Sequence, residues 1–285
     1  MPRAVIDGID TEYEVTGSGP PLLMFSPGGF DARRQNWQAL DVYQRTRLLA
    51  HLERRFICIT FDRRESGGSG GKVQRVTWGD YAAQGRGLLR HLQIGRAHLM
   101  GGCVGCSAVL AFAVAHPDEV RSMVLYSPAG GARYRLTQQS RFTQHLAYLD
   151  DHDLGEVVAL ARSCPRTFAQ EPRIGPWGPT IRADQAMAAS FAEQDPARYR
   201  LLVSAMARLL FDRDTVPGAE PEDLLRLEIP ALVVPGHDPS HATSAARYLE
   251  ECLPHAQYWD MPVEEQNEQT APRRVLEFLT SVRPR

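Results

Sequence analysis

Short apolar runs, each stopped by turn residues, organise most of the chain. Two runs with polar alternation, Arg3–Ile6 and Glu12–Val15, come first, and the following "TGSGPP" reads as a turn. "PLLMFSP" (Pro21–Pro27) and "FICITFD" (Phe56–Asp62) are compact and apolar, as buried strands are. "AHLMGG" and "VRSMVLYSP" (Val120–Pro128) predict two more. Between these runs the period lengthens: Thr77–Leu92 has helical spacing with Thr77 as N-cap, and Val104–Ala115 is a helix of small and apolar residues. From Tyr134 to Leu227 there are helical and loop patterns, clearest in Leu201–Phe211, but no strand pattern. Alternation then resumes with "PALVVPG" (Pro230–Gly236), a helix over Thr243–Leu253, "AQYWDMP" (Ala256–Pro262) and a helix near Pro272–Val282.

Strands alternating with helices predict an α/β fold with a mostly parallel central sheet flanked by helices. The segment 134–227 reads as a helical cap or lid inserted into a core made of 1–133 and 228–285. Ligands of such sheets sit beyond the carboxyl ends of the strands, so residues that follow strands carry the functional weight.

Composition changes this picture little. A hydrophobic share of 43% in 285 residues is enough for a sizeable core, and a formal charge of −2 gives no reason to expect nucleic acid or an anionic membrane as partner. Lys72 is the single lysine; base composition of the gene is the plain reading of that bias, and arginines set for binding anions, to be argued position by position, are the alternative. The opening "MPRAVIDGIDTEYEV" lacks the apolar core of a signal peptide, and no window reaches the ~18 apolar residues of a membrane span. Five cysteines without a disulfide-framework spacing fit a reducing cytoplasm. Histidines and carboxylates lack metal-ligand spacing, so no metal and no cofactor is expected. A small molecule is the expected substrate, and oligomeric state is not legible.

The chemistry concentrates in "HLMGGCVGCSAVLAFAVAHP" (His98–Pro117), where a strand meets a helix at "GGCVG". This is the G-x-S-x-G nucleophile elbow with cysteine in place of serine. Small neighbours are needed there because bulk at Gly101, Gly102 or Gly105 would meet adjacent backbone. Cys103 is thereby the candidate nucleophile, its thiolate favoured by the helix N-terminus, and the Val104 N–H faces a developing oxyanion. Cys106, three residues into the helix, is expected to pack against the sheet.

The glycine turn after "PLLMFSP", the "DRRESGGSGG" loop, the elbow, the inserted block and the late "VVPGHD" strand together resemble the α/β-hydrolase superfamily over nearly the whole chain outside the cap. The resemblance implies a second oxyanion donor in the loop after the early strand, at Gly28 or Gly29, since Pro27 has no N–H. It implies a structural role for Asp62, Arg63 and Arg64, with Glu65 replacing a customary glycine. It also implies an acid after "ALVVPG", which Asp238 fits, and a histidine after the last strand. "MPVEEQNEQTAP" holds no histidine, and the vacant position falls near Glu264–Glu265.

Of the histidines, only His237 and His241 in "GHDPSH" lie on a loop at the catalytic edge. His241, with Asp238 fixing its tautomer, is the first candidate for the base. His237, Glu264 and Glu265 are alternatives, as is the absence of any base, which a thiol with a free pKa of roughly 8.5 tolerates better than a hydroxyl. An imidazole lowers a neighbouring thiol's pKa and a carboxylate raises it, which favours His241. The expected function is hydrolysis of an ester, lactone or thioester through a covalent cysteine intermediate. C–C bond hydrolysis, acyl transfer, or non-catalytic ligand binding on a hydrolase-like scaffold are the alternatives.

Overall fold

The computed structural model describes residues 1–282. Its strands are β1 (Arg3–Ile6), β2 (Ile9–Gly17), β3 (Pro21–Phe25), β4 (Ile57–Phe61), β5 (Ala97–Gly102), β6 (Val120–Tyr126), β7 (Ala231–Val234) and β8 (Ala256–Tyr258). They form one sheet in the order β1-β2-β4-β3-β5-β6-β7-β8. The pairs β1–β2 and β2–β4 are antiparallel and the remaining pairs parallel.

Uninterrupted apolar runs become central strands because both faces of the sheet are covered, and successive side chains feed two cores. Leu23, Phe25, Leu99, Leu125 and Val233 enter one core, while Leu22, Met24, Met100, Val124 and Leu232 enter the other. The helix Trp78–His91 starts where Thr77 predicts: Thr77 Oγ1 accepts from the Asp80 N–H at 3.2 Å, and the Asp80 carboxylate accepts from the Thr77 N–H at 2.7 Å. The elbow helix Gly105–Ala115 has nearly every residue buried, since it lies between the sheet and neighbouring helices.

Between β6 and β7 the chain forms six α-helices, from Ala132–Tyr148 to Pro221–Leu224, and one 3-10 helix, Pro172–Ile174, and no strand. The helical block starts two residues before the sequence boundary and its last helix ends three residues short of it. Asp153, Asp184 and Asp195 cap three of these helices through side-chain acceptors. Its interior holds His145 between the Arg173 carbonyl (3.0 Å) and the Tyr199 hydroxyl (2.8 Å), beside Phe168. Three short helices over residues 36–52 (Asn36–Ala39, Asp41–Thr46, Leu48–Leu52) have no counterpart in the sequence reading. Arg47, in the left-handed region at φ 49°, separates the last two. Among the described residues no helix is long and apolar enough to cross a membrane.

Candidate active site

Cys103 follows β5 directly and adopts φ 54°, a left-handed conformation that costs roughly 1–2 kcal/mol for a residue with a side chain. The surrounding bonds hold it there: its N–H donates to the Tyr126 carbonyl at 3.1 Å, and its carbonyl accepts from Cys106 and Ala129 at 3.2 and 3.3 Å. The turn is possible only with glycine on both sides. A Cβ on Gly105 would lie 2.1 Å from the Phe25 carbonyl oxygen, and one on Gly101 would lie 2.5 Å from the Cys106 nitrogen. At Gly102 the obstacle is side chain rather than the expected backbone, with the Tyr43 hydroxyl at 2.8 Å. Cys106 is buried, donates its thiol proton to the Gly101 carbonyl at 3.2 Å, and has its pKa pushed well up by burial.

The loop after β3 is pinned by Asn36, whose side-chain amide donates to the carbonyls of Pro27 (2.8 Å) and Asp31 (2.7 Å). Gly28 takes φ 125°, and a Cβ there would meet Asn36 at 2.3 Å. This fixes the Gly28 N–H, which together with the Val104 N–H is directed at the Cys103 sulfur.

The opposite wall comes from the loop after β7. Asp238-Pro239-Ser240-His241 is a tight turn in which Asp238 Oδ1 accepts from the N–H groups of Ser240 (2.7 Å) and His241 (3.1 Å). Asp238 Oδ2 lies 2.7 Å from His241 Nδ1. Two further contacts seat the loop: the Gly130 N–H donates to the Ser240 carbonyl at 3.0 Å, and Gly236, without a Cβ, leaves room for the His241 side chain. Nδ1 being held, Nε2 is turned inward, buried and without a regular hydrogen bond, with the Cys103 sulfur as the group it acts on.

The electrostatics follow. Burial alone would raise the Cys103 pKa, but the His241 charge, a proton shared with it, and the Val104 and Gly28 N–H groups outweigh burial and bring the thiol below its ordinary value. Burial would lower His241, yet Cys103 and Asp238 together push it up to about 10. The hydrogen bond from His241 holds Asp238 down at about 2. Asp238 is 49% exposed, so water screens much of its charge, and its main effect is orientation. The geometry is thus a thiol, an imidazole and a carboxylate in a row, in which the charged forms of Cys103 and His241 favour each other.

The other sequence candidates for the base lie elsewhere. Glu264 and Glu265 are solvent-exposed in a single 3-10 turn, Val263–Glu265. Their neighbour Gln266 is the residue that turns inward, accepting from the Tyr126 hydroxyl (2.9 Å) and donating to the Pro235 and Met261 carbonyls (3.0 and 3.1 Å). His237 is exposed and lies beside Thr243 Oγ1 at 3.3 Å. Among the described residues no group of three His, Cys, Asp or Glu side chains could hold a metal ion.

The loop after β4 supports the site from one side. Asp62 accepts from the N–H groups of Arg34 and Gly68, both at 2.7 Å. Glu65, at φ 63°, turns to Arg64 (2.9 Å) rather than to the thiol. Above the elbow, Phe30, Arg63 and Trp78 from the sheet side meet Tyr134 and Phe211 of the helical block. The space they leave is only about 10 Å³. Asn36, Arg63 and Gln266 went unassigned to the site in the sequence, since only tertiary contacts give them these places.

Comparison with known proteins agrees with this fold. The family model described as alpha/beta hydrolase fold matches residues 21–158. No curated protein sequence matches. Solved structures match along the whole chain at low identity. A thermophilic esterase from Thermogutta terrifontis is 20% identical with a TM-score of 0.65, covering 100% of both chains. An enol-lactonase from Burkholderia xenovorans is 21% identical with a TM-score of 0.62, covering 98% of this chain and 100% of that one. A meta-cleavage product hydrolase from Pseudomonas fluorescens is 18% identical with a TM-score of 0.62, covering 99% and 98%. The sheet order, the strand-to-helix elbow, the family match and these likenesses lead to one conclusion: the chain is a protein of the α/β-hydrolase fold.

Proposed function

We propose that the protein hydrolyses an ester, lactone or thioester through a covalent acyl intermediate on Cys103. The observation that carries this reading is the geometry of the elbow: Cys103 stands at a left-handed turn between strand and helix, and Asp238 holds His241 Nδ1 at 2.7 Å with Nε2 buried and unpartnered; the direction of the thiol's pKa shift accords with it. The Cys103 thiolate attacks the carbonyl carbon, and the oxygen charge that develops is held by the Gly28 and Val104 N–H groups. His241 gives its Nε2 proton to the departing alkoxide or thiolate, leaving an acylated Cys103 and a neutral imidazole. That imidazole then takes a proton from water as the water attacks the acyl carbon. The C–S bond breaks, the acid leaves, and His241 returns to its charged state beside the thiolate. Asp238 keeps Nδ1 protonated, so Nε2 is the atom that exchanges the proton.

Esters and thioesters suit this site because an alkoxide or thiolate departs readily once His241 supplies a proton, whereas an amide nitrogen departs only if that proton arrives first. In this reading the helical block Ala132–Leu224 is the cap, and a substrate enters when Phe30, Tyr134 and Phe211 move apart, because the space between them holds at most one water. The test is a rapid-mixing assay with p-nitrophenyl acetate, followed by acid quench and mass measurement. A burst of p-nitrophenol with an acetyl group on Cys103 is expected. Absence of turnover and of any acyl adduct across ester and thioester probes would leave a ligand-binding protein on this scaffold.

A further inference from the structure

Arg63 stands out among the pocket residues. It follows β4 at the catalytic edge of the sheet and is only 5% exposed, yet it forms no ion pair among the described residues. Its neighbours are taken: Asp62 is engaged by Arg34 and backbone N–H groups, and the Glu65 carboxylate is bound by Arg64. Arg63 Nη2 donates to the Gly29 carbonyl, its guanidinium lies 4.0 Å above the centre of the Tyr81 ring, and its Nε is buried with no hydrogen-bond partner. Arginine cannot shed its proton, so burying it among Phe30, Trp78, Tyr81, Tyr134 and Phe211 is costly. A ring face and one carbonyl recover part of that cost. A buried, unsatisfied donor on a cationic side chain that lines the same pocket as the Val104 end of the elbow is the arrangement of an anion subsite lacking its anion's oxygens.

We propose that Arg63 binds a carboxylate on the acyl portion of the substrate, making the protein a hydrolase of esters or thioesters of dicarboxylic acids. This rests on the reading of Cys103 as the nucleophile. Arg63 shares the pocket wall with Gly29 and Val104, so a carboxylate on Arg63 places the other end of a short acyl chain at the elbow. Neutral acyl chains leave the Nε donor unpaired, and a site built around a buried polar group discriminates strongly against a substrate that cannot satisfy it.

The experiment compares p-nitrophenyl hydrogen glutarate with p-nitrophenyl pentanoate, which differ by the carboxylate. The wild type is expected to prefer the glutarate in kcat/KM by about 10- to 100-fold, the usual worth of a hydrogen bond to a charged group. Arg63→Gln should remove that preference through KM while hydrolysing the pentanoate within about threefold of wild type. Arg63→Lys, which retains the charge, should keep part of the preference and serves where the glutamine variant does not fold. A wild type with no preference overturns the proposal, as does an Arg63→Gln variant that loses both substrates equally, since Arg63 would then only support the Gly29 loop. A second assay needs no turnover: glutarate, but not glutaramide, should slow iodoacetamide labelling of Cys103 in the wild type and not in Arg63→Gln. Failure of hydrolysis with protection intact would contradict the catalytic reading alone. Loss of protection with hydrolysis intact would contradict the subsite alone.

Discussion

Asp238 uses its two oxygens differently, and this division brings His241 to the sulfur. Oδ1 closes the turn 238–241 and Oδ2 holds the imidazole. His241→Ala is therefore expected to lower kcat/KM on a cleaved ester by on the order of 10²–10⁴, the range for losing a general acid–base, with the far-UV spectrum and unfolding midpoint retained. Asp238→Asn should cost less, because a half-exposed carboxylate orients more than it charges. Glu265→Gln should stay within twofold, since Glu265 faces solvent. Equal losses for Glu265→Gln and His241→Ala on the same ester would transfer the role to the exposed turn. Sequence reasoning reached Cys103, Val104, Gly28, Asp238 and His241 because each directly follows a strand or sits in a quoted motif. It did not reach Gln266, which turns inward beside the expected Glu264 and Glu265, because neither polarity nor spacing separates it from its exposed neighbours.

The elbow between β5 and its helix shows how closely elements approach, and three glycines separate the causes. Gly105→Ala would force a Cβ to 2.1 Å from a strand carbonyl, which no side-chain motion relieves, and should cost about 2–4 kcal/mol. Gly29→Ala meets nothing within 4 Å but must hold φ 62°, so the expected cost is about 1–2 kcal/mol. Gly95→Ala meets neither obstacle and should fall within about 0.5 kcal/mol of wild type. Urea midpoints for the three variants check the ranking, and a reversed order would contradict the packing described at the elbow. The central strands were legible as elements because buried parallel strands are apolar throughout, and β3, β5, β6 and β7 run out at or within two residues of a glycine or proline. The short helices over residues 36–52 were not, because a left-handed Arg47 breaks their period and their burial comes from packing against the sheet.

At the scale of the molecule, two buried histidines tie stability to acidity. His98, paired with Ser122 Oγ at 2.8 Å, and His145 in the helical block are both brought down to about 4, by burial first. An unfolded histidine takes up its proton near pH 6.5, so between about 6.5 and 4 the unfolded chain binds more protons than the folded one. The stability contributed by the neutral state is complete above pH 6.5 and is lost as pH falls through this window, on the order of 3 kcal/mol per histidine below it. His145→Gln should flatten the fall of the urea midpoint over this range, and an unchanged slope would contradict the assignment. The sheet that buries His98 also assembles the site, taking Gly28 from the loop after β3, Cys103 from the turn after β5, and Asp238 and His241 from the loop after β7. The most direct test of that assembly is the pH dependence of iodoacetamide labelling at Cys103, followed by site-resolved mass spectrometry in the wild type and in His241→Ala. The account predicts that the wild-type labelling inflection lies below that of His241→Ala, whose inflection moves up to about 8.5 or beyond. Inflections near 8.5 in both proteins would show that His241 does not act on the thiol, and the proposed mechanism would fall with it.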